Sequence, residues 1–216
     1  MFPITSLFSA TLETLEMVSL SGGIACLIGI PVGILLYLVR PKSIAPHLAC
    51  YKLLSILVNI TRSIPFVILM IAVIPLTRWL VGTSIGTLAA IVPLSLCAAP
   101  FMARIVETAF LDTPPGLIEA AIAMGATSRQ IICKVVLPEA LSGIIQGVVL
   151  MLVNLVGYSA MAGAIGGGGL GDLAIRYGYQ RFDTPTMLLT IAVMVAIVQL
   201  MQWIGDRLVN RVIKRR

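Results

Sequence analysis

The sequence has little charge: Asp, Glu, Lys and Arg make up 11% of its 216 residues, where about 25% is usual for a soluble globular domain. An ordinary soluble fold is excluded on that ground, and 59% hydrophobic residues with a mean hydropathy of +1.05 place the chain in lipid. Histidine is nearly missing, since His47 is the only one. Cys26, Cys50, Cys97 and Cys133 are scattered without C-x-x-C spacing, so free thiols are expected and a metal site is not. No G-x-x-x-x-G-K-[ST], H-E-x-x-H or G-x-S-x-G run occurs, and no pair of acidic residues falls within one apolar run. The chain therefore offers no catalytic group and no loop to hydrolyse ATP by itself. No Lys or Arg precedes the first apolar run, so the basic n-region of a signal peptide is missing and that run is expected to stay as a span.

What is present is a set of apolar runs near the roughly 20 residues that cross hydrocarbon. Five spans are expected, at about 17–39, 54–77, 84–108, 142–163 and 186–205, which makes the chain an all-α polytopic membrane protein with its termini on opposite sides. The first would be ~35 Å long, enough to cross with some tilt. With the N-terminus outside, the inner segments hold Arg40, Lys42, Lys52, Arg62, Arg104, Arg129, Lys134, Arg207, Arg211, Lys214, Arg215 and Arg216, twelve of the fifteen basic residues. Arg78, Arg176 and Arg181 remain outside, so the positive-inside rule selects N-outside, C-inside. The net charge of +6 then anchors the inner face and does not call for nucleic acid.

Arg62 lies inside the second expected span, where a centred charge costs up to ~3 kcal/mol. It either snorkels to the surface or faces the bundle near the inner mouth. Ala25, Gly29 and Gly33, and Gly143 and Gly147, stand four apart, a spacing that lets helices approach closely. Pro31, Pro65, Pro93 and Pro100 are expected to bend their spans. The GGGGLG run at 166–171 satisfies G-x-G-x-x-G, but it follows an apolar helix in the outer loop. It reads as a flexible linker or a tight re-entrant turn, not as a dinucleotide site.

The inner loop at 112–138 does not fit the membrane pattern. Asp112 or Thr113 can cap a helix whose first turn takes Pro114 or Pro115. Leu117, Ile118, Ala121, Ile122 and Met124 give it one apolar face, and Gly125 is placed to end it. Thr127 or Ser128 can cap a second helix with Ile131, Ile132, Val135 and Val136 on one face, which Pro138 is expected to stop. Helices this short are marginal in water, so something must cover them. A protein groove, the chain's own inner loops and the membrane surface are the candidates. No Lys or Arg occurs between Ile105 and Ser128 while Glu107, Asp112 and Glu119 are acidic, which disfavours an anionic lipid surface and favours the groove.

These residues resemble the "EAA" loop of ABC-type import permeases, E-A-A, three residues, G, nine residues, I-x-L-P. Glu119, Ala120, Ala121, Gly125, Leu137 and Pro138 match, and Val135 takes the isoleucine position. The likeness covers about 11–210 as a transmembrane type-1 permease domain. The segments RSIPF, VGTSIG, LIEAAIAMGAT, LPEAL and LVGYSAM are similar to the methionine-uptake permeases. The resemblance implies a type I importer subunit in the bacterial inner membrane that translocates methionine by alternating access. It implies a second copy of the chain, two ATP-binding cassette subunits that use ATP and Mg, and an external methionine-binding protein, with no cofactor on this chain. The matched loop residues would couple to the ATPase. For the pathway, Asn154, Tyr158, Ser159 and Met161 are candidates, with Arg62 at the inner mouth. A permease for another small amino acid or related solute is the nearest alternative, a self-contained channel or carrier the more distant one, lacking the internal repeat and central charges expected of a carrier.

Overall fold

The computed structural model describes residues 4–213 except Lys42 and Ile44; of the basic residues assigned to the inner face, Lys42, Lys214, Arg215 and Arg216 lie outside the described residues. Helices α1 (Ile4–Val39), α5 (Thr87–Leu111), α8 (Leu137–Gly163) and α10 (Thr184–Ile213) are long and apolar enough to cross a membrane. They correspond to the first, third, fourth and fifth expected spans, with α1 beginning well before residue 17.

The second expected span is not one straight helix. It consists of α2 (Leu48–Ser63), α3 (Phe66–Ala72) and α4 (Ile74–Val81), and the chain turns by 104° between α2 and α3. The break has a local cause: Pro65 pushes Ile64 out of the helical region, to φ −82° and ψ 125°. Pro31, Pro93 and Pro100, in contrast, sit inside unbroken α1 and α5.

The core forms around α5, which packs against α1 on one side and α8 on the other. Small residues make the approach close. A Cβ on Gly29 would stand 2.6 Å from the Ala99 carbonyl oxygen, and one on Gly33 2.5 Å from that of Ala103. Gly147 admits Ile105 and Gly143 admits Ala109 from α8 in the same way. Leu94, Met102, Val106, Phe110, Met151 and Leu155 fill the interior. On the outer side the glycine run is a tight turn. Gly166, Gly168 and Gly169 take positive φ, and α9 (Gly169–Leu173) folds back so that Gly171 lies against the Ala160 backbone. Glu13 and Thr14 of α1 accept hydrogen bonds from the Gly169 and Leu170 N–H groups at 2.7 and 2.9 Å.

Candidate functional site

Two places concentrate the residues singled out by sequence. The first is the inner loop. Helix α6 (Pro115–Ala123) begins one residue later than expected, behind Pro114, and no side chain caps it. Neither Asp112 nor Thr113 serves as the cap: Asp112 instead closes α5, and the Thr113 hydroxyl is buried without a hydrogen-bond partner. Gly125 does end the unit, at φ +77°. The Gly125 N–H donates to the Ile122 carbonyl at 2.9 Å and the Ala126 N–H to that of Ala121 at 3.0 Å, the paired bonds of a Schellman stop. Helix α7 (Ser128–Ile131) follows in a full capping box, Thr127 and Gln130 each satisfying the other's backbone N–H.

Pro138 does not stop the second helix. From Ser128 the helical path runs through to Gly163, by way of a wide π-helical turn at Ile132–Val136. In an α-helix the Pro138 ring would press on the Lys134 carbonyl and leave it without a donor. The widened turn, in which the Leu137 N–H reaches back to the Ile132 carbonyl, takes up that conflict. The second helix of the loop is thus continuous with a membrane span.

Only part of the loop's apolar face is covered by the chain itself. Ala121, Ile131 and Val136 are buried and Ile118, Ala126, Val135 and Leu137 pack partly against the core. Leu117, Ile122 and Met124 stay 45%, 57% and 81% exposed. Glu119, Ala120 and Pro138 are exposed as well. An apolar ridge with one carboxylate beside it projects from the inner end of the bundle.

The second place is a pair of cavities between α2, α5 and α8. The deeper one, about 210 Å³, is lined by Arg62, Cys97, Ala98, Phe101, Met151, Asn154, Leu155 and Tyr158. The other, about 390 Å³, shares Arg62 and Phe101 and continues past Arg104, Thr108, Asp112 and Gln146 toward the inner end. Arg62, in the last turn of α2 where the helix dipole favours a cation, holds its guanidinium 5.7 Å over the Phe101 ring and borders both cavities. Tyr158 stacks on Phe66 at 4.9 Å. Asn154 and Tyr158, four residues apart, share a face of α8. Ser159 and Met161 border neither cavity. Ser159 is rotated a step around the helix, buried, with its hydroxyl donating to the Val156 carbonyl at 2.8 Å, and Met161 lies one turn farther out and is half exposed.

One cluster was not read from the sequence as a site. Arg104 pairs with Glu107 at 2.5 Å and donates to Asn59 Oδ1 at 2.7 Å and Ser55 Oγ at 3.0 Å, bridging α2 and α5. Glu107 is 2% exposed. Opposite charges three residues apart within an expected span were the available signal.

A family model described as a binding-protein-dependent transport system inner membrane component matches residues 29–214. A probable D-methionine transport system permease protein from Vibrio cholerae is 52% identical over 206 residues, covering 95% of this chain and 92% of the relative. The D-methionine transport system permease protein of Escherichia coli K12 is 56% identical over 151 residues, 70% of each chain. Among solved structures, an inward-facing MetNI methionine ABC transporter superposes with a TM-score of 0.94 at 50% identity over 97% of both chains. An amino acid ABC transporter at 19% identity and TM-score 0.79 shares the fold. The chain belongs to the family of binding-protein-dependent transport system inner membrane components.

Proposed function

We infer that this chain is the membrane-spanning permease subunit of an ATP-driven ABC importer of methionine, multi-pass in the bacterial inner membrane. It works as a homodimer with two ATPase subunits and receives solute from an external binding protein. The observation that carries the reading is the loop at 112–138: an exposed apolar ridge on α6, stopped at Gly125 and followed from Ser128 by a helix that runs directly into α8. The names of the relatives supply methionine; another small amino acid is the alternative.

In this reading Glu119, Ala120, Ala121, Gly125, Leu137 and Pro138 form the coupling element. Ala120 permits close approach of the ATPase, Ala121 seats α6 on the bundle, Gly125 sets the turn, and Glu119 offers an anion to the groove. Leu137 and Pro138 join the loop to α8. The chain is non-catalytic; ATP and Mg belong to the ATPase partner, whose closure moves the loop and, through α8, the span that lines the cavities. Differential contact of the ATPase with the loop in its open and closed states is what shifts the bundle between inward- and outward-facing arrangements. Asn154, Tyr158 and Arg62 line the solute path within the permease domain at 11–210.

The test is reconstitution of the full assembly in proteoliposomes, with labelled methionine and the binding protein outside and ATP with Mg inside. ATP-dependent uptake is expected from the assembly and none from the permease alone. Glu119→Lys and Gly125→Val should lower uptake and ATPase association while the protein still inserts in the membrane. Normal transport by both variants would remove the loop from the mechanism, and ATP-independent uptake by the permease alone would falsify the subunit reading.

A further inference from the structure

Two polar side chains on the deeper cavity have no polar partner. Arg62, exposed in the single chain, makes no ion pair or hydrogen bond among the described residues, only the contact over Phe101. Asn154, half-buried along α8, makes no hydrogen bond among them either. Both therefore keep their hydrogen-bonding capacity open to a solute that enters the shared cavity.

The chemistry of the cavity restricts what that is. A guanidinium offers donors only, in a fork that fits a carboxylate. The Asn154 carbonyl accepts from an ammonium, and the ring faces of Phe101 and Tyr158 attract a cation. No carboxylate lines this cavity, so a simple cation would meet Arg62 without compensation, and a neutral apolar solute would leave both polar groups unpaired. A zwitterion that carries its acid and amine on one carbon offers a partner to each. Phe101 and Cys97, each partly exposed, supply apolar surface for its side chain.

We propose that the cavity between α2, α5 and α8 is a transient binding station for the head group of an α-amino acid, with Arg62 on the carboxylate, Asn154 on the ammonium and Phe101 and Cys97 against an apolar side chain. This rests on the permease reading and deepens it by giving this chain a solute site of its own. One cation and one amide make a weak site, as a transport step requires, since a solute held tightly would not leave. Arg62 also borders the second cavity, so the residue that takes the carboxylate stands where the path turns toward the inner side.

Cys97 lines the station and reports on it. The permease with its ATPase, in lipid nanodiscs without the binding protein, is treated with methyl methanethiosulfonate, and modification of Cys97 is followed by mass spectrometry of its peptide. Methionine is expected to slow Cys97 modification severalfold and to leave the inner-loop Cys133 unchanged, whereas methionine amide, which has no carboxylate, should not protect. Arg62→Gln should raise the methionine concentration needed for protection about tenfold, the usual loss for a charge-assisted hydrogen bond, and Arg62→Lys should recover part of it. Asn154→Ala gives an independent loss should Arg62→Gln not fold. A Cys97 that never reacts, equal protection by the amide, or unchanged protection in both Arg62→Gln and Asn154→Ala would overturn the station. ATP-driven methionine uptake without Cys97 protection removes the station and leaves the permease reading standing. Protection by another amino acid and not by methionine keeps the station and overturns methionine as the substrate.

Discussion

Gly33 and Gly125 are both required to be glycine, for opposite reasons. A methyl on Gly33 would meet the Ala103 carbonyl at 2.5 Å, in a backbone that cannot step aside. A methyl on Gly125 would meet nothing within 4 Å, yet its φ of +77° costs an L-residue roughly 1–2 kcal/mol. Gly33→Ala is therefore expected to lower the unfolding temperature of the purified assembly clearly, by splaying α1 from α5. Gly125→Ala should barely change it and should show instead as lower transport per ATP hydrolysed; equal thermal effects would mean that the two glycines are not doing different jobs. The sequence spacing announced close packing at Gly33 and a stop at Gly125. Asp183 is a different case. Just outside α10, it accepts from the Thr186 hydroxyl and N–H at 2.6 and 3.2 Å, which hold its carboxyl below the ordinary 3.8. A carboxylate with a depressed folded-state pKa stabilises above its unfolded pKa, and that stabilisation fades as pH falls through the folded value. Asp183→Ala should thus unfold at a lower temperature than the natural protein near neutrality, and the gap should close below about pH 4. A gap independent of pH would assign the effect to something other than the charge.

Among the elements, the loop and the broken second span separate what sequence discloses from what it hides. The cap at Thr127, one of two candidates with Ser128, and the stop at Gly125 depend on neighbours in the chain and were legible, whereas the reciprocal bond from Gln130 was not read. The helical continuity through Pro138 was not, because whether a proline ends a helix depends on how the preceding turn adapts, and here a π-helical turn at Ile132–Val136 adapts to it. The hydropathy of 54–77 announced a span and Pro65 a bend, but nothing in the sequence set Pro65 apart from Pro31, Pro93 and Pro100, which sit inside unbroken helices. Pro138→Ala restores an N–H and removes the ring, so the wide turn is expected to relax toward α geometry. Losing one residue of the turn rotates α6 and α7 by about 100° relative to α8. Transport per ATP should fall while ATPase activity and insertion persist. An unchanged transport-to-ATP ratio would mean that the wide turn does not set the loop's register.

In the whole molecule, α5 is the hub and α10 is largely uncovered, its apolar face left to lipid or to a second copy. The hub holds α2 in a different way from the rest. α1 and α8 reach α5 through small residues and apolar packing, whereas α2 reaches it partly through Arg104, Glu107, Asn59 and Ser55. Sequence marked the charged pair as basic and acidic residues at an inner end, not as a bridge, because the partners on α2 are more than forty residues away. A bridge of this kind fixes where the bent span sits while adding little net stability, since burying two charges offsets most of their attraction. Removing one partner is another matter. Arg104→Met leaves the Glu107 carboxylate buried and unpaired, with an expected loss on the order of 3–5 kcal/mol. Arg104→Met with Glu107→Leu removes both charges and should recover most of that, giving a large coupling in the double-mutant cycle. Denaturation of the purified assembly measures the stabilities. Transport separates the two roles, because the double variant should be stable yet import poorly if the bridge positions α2 and Arg62 beside the cavities. A double variant that is stable and transports fully would reduce the bridge to a satisfied ion pair with no part in the solute path.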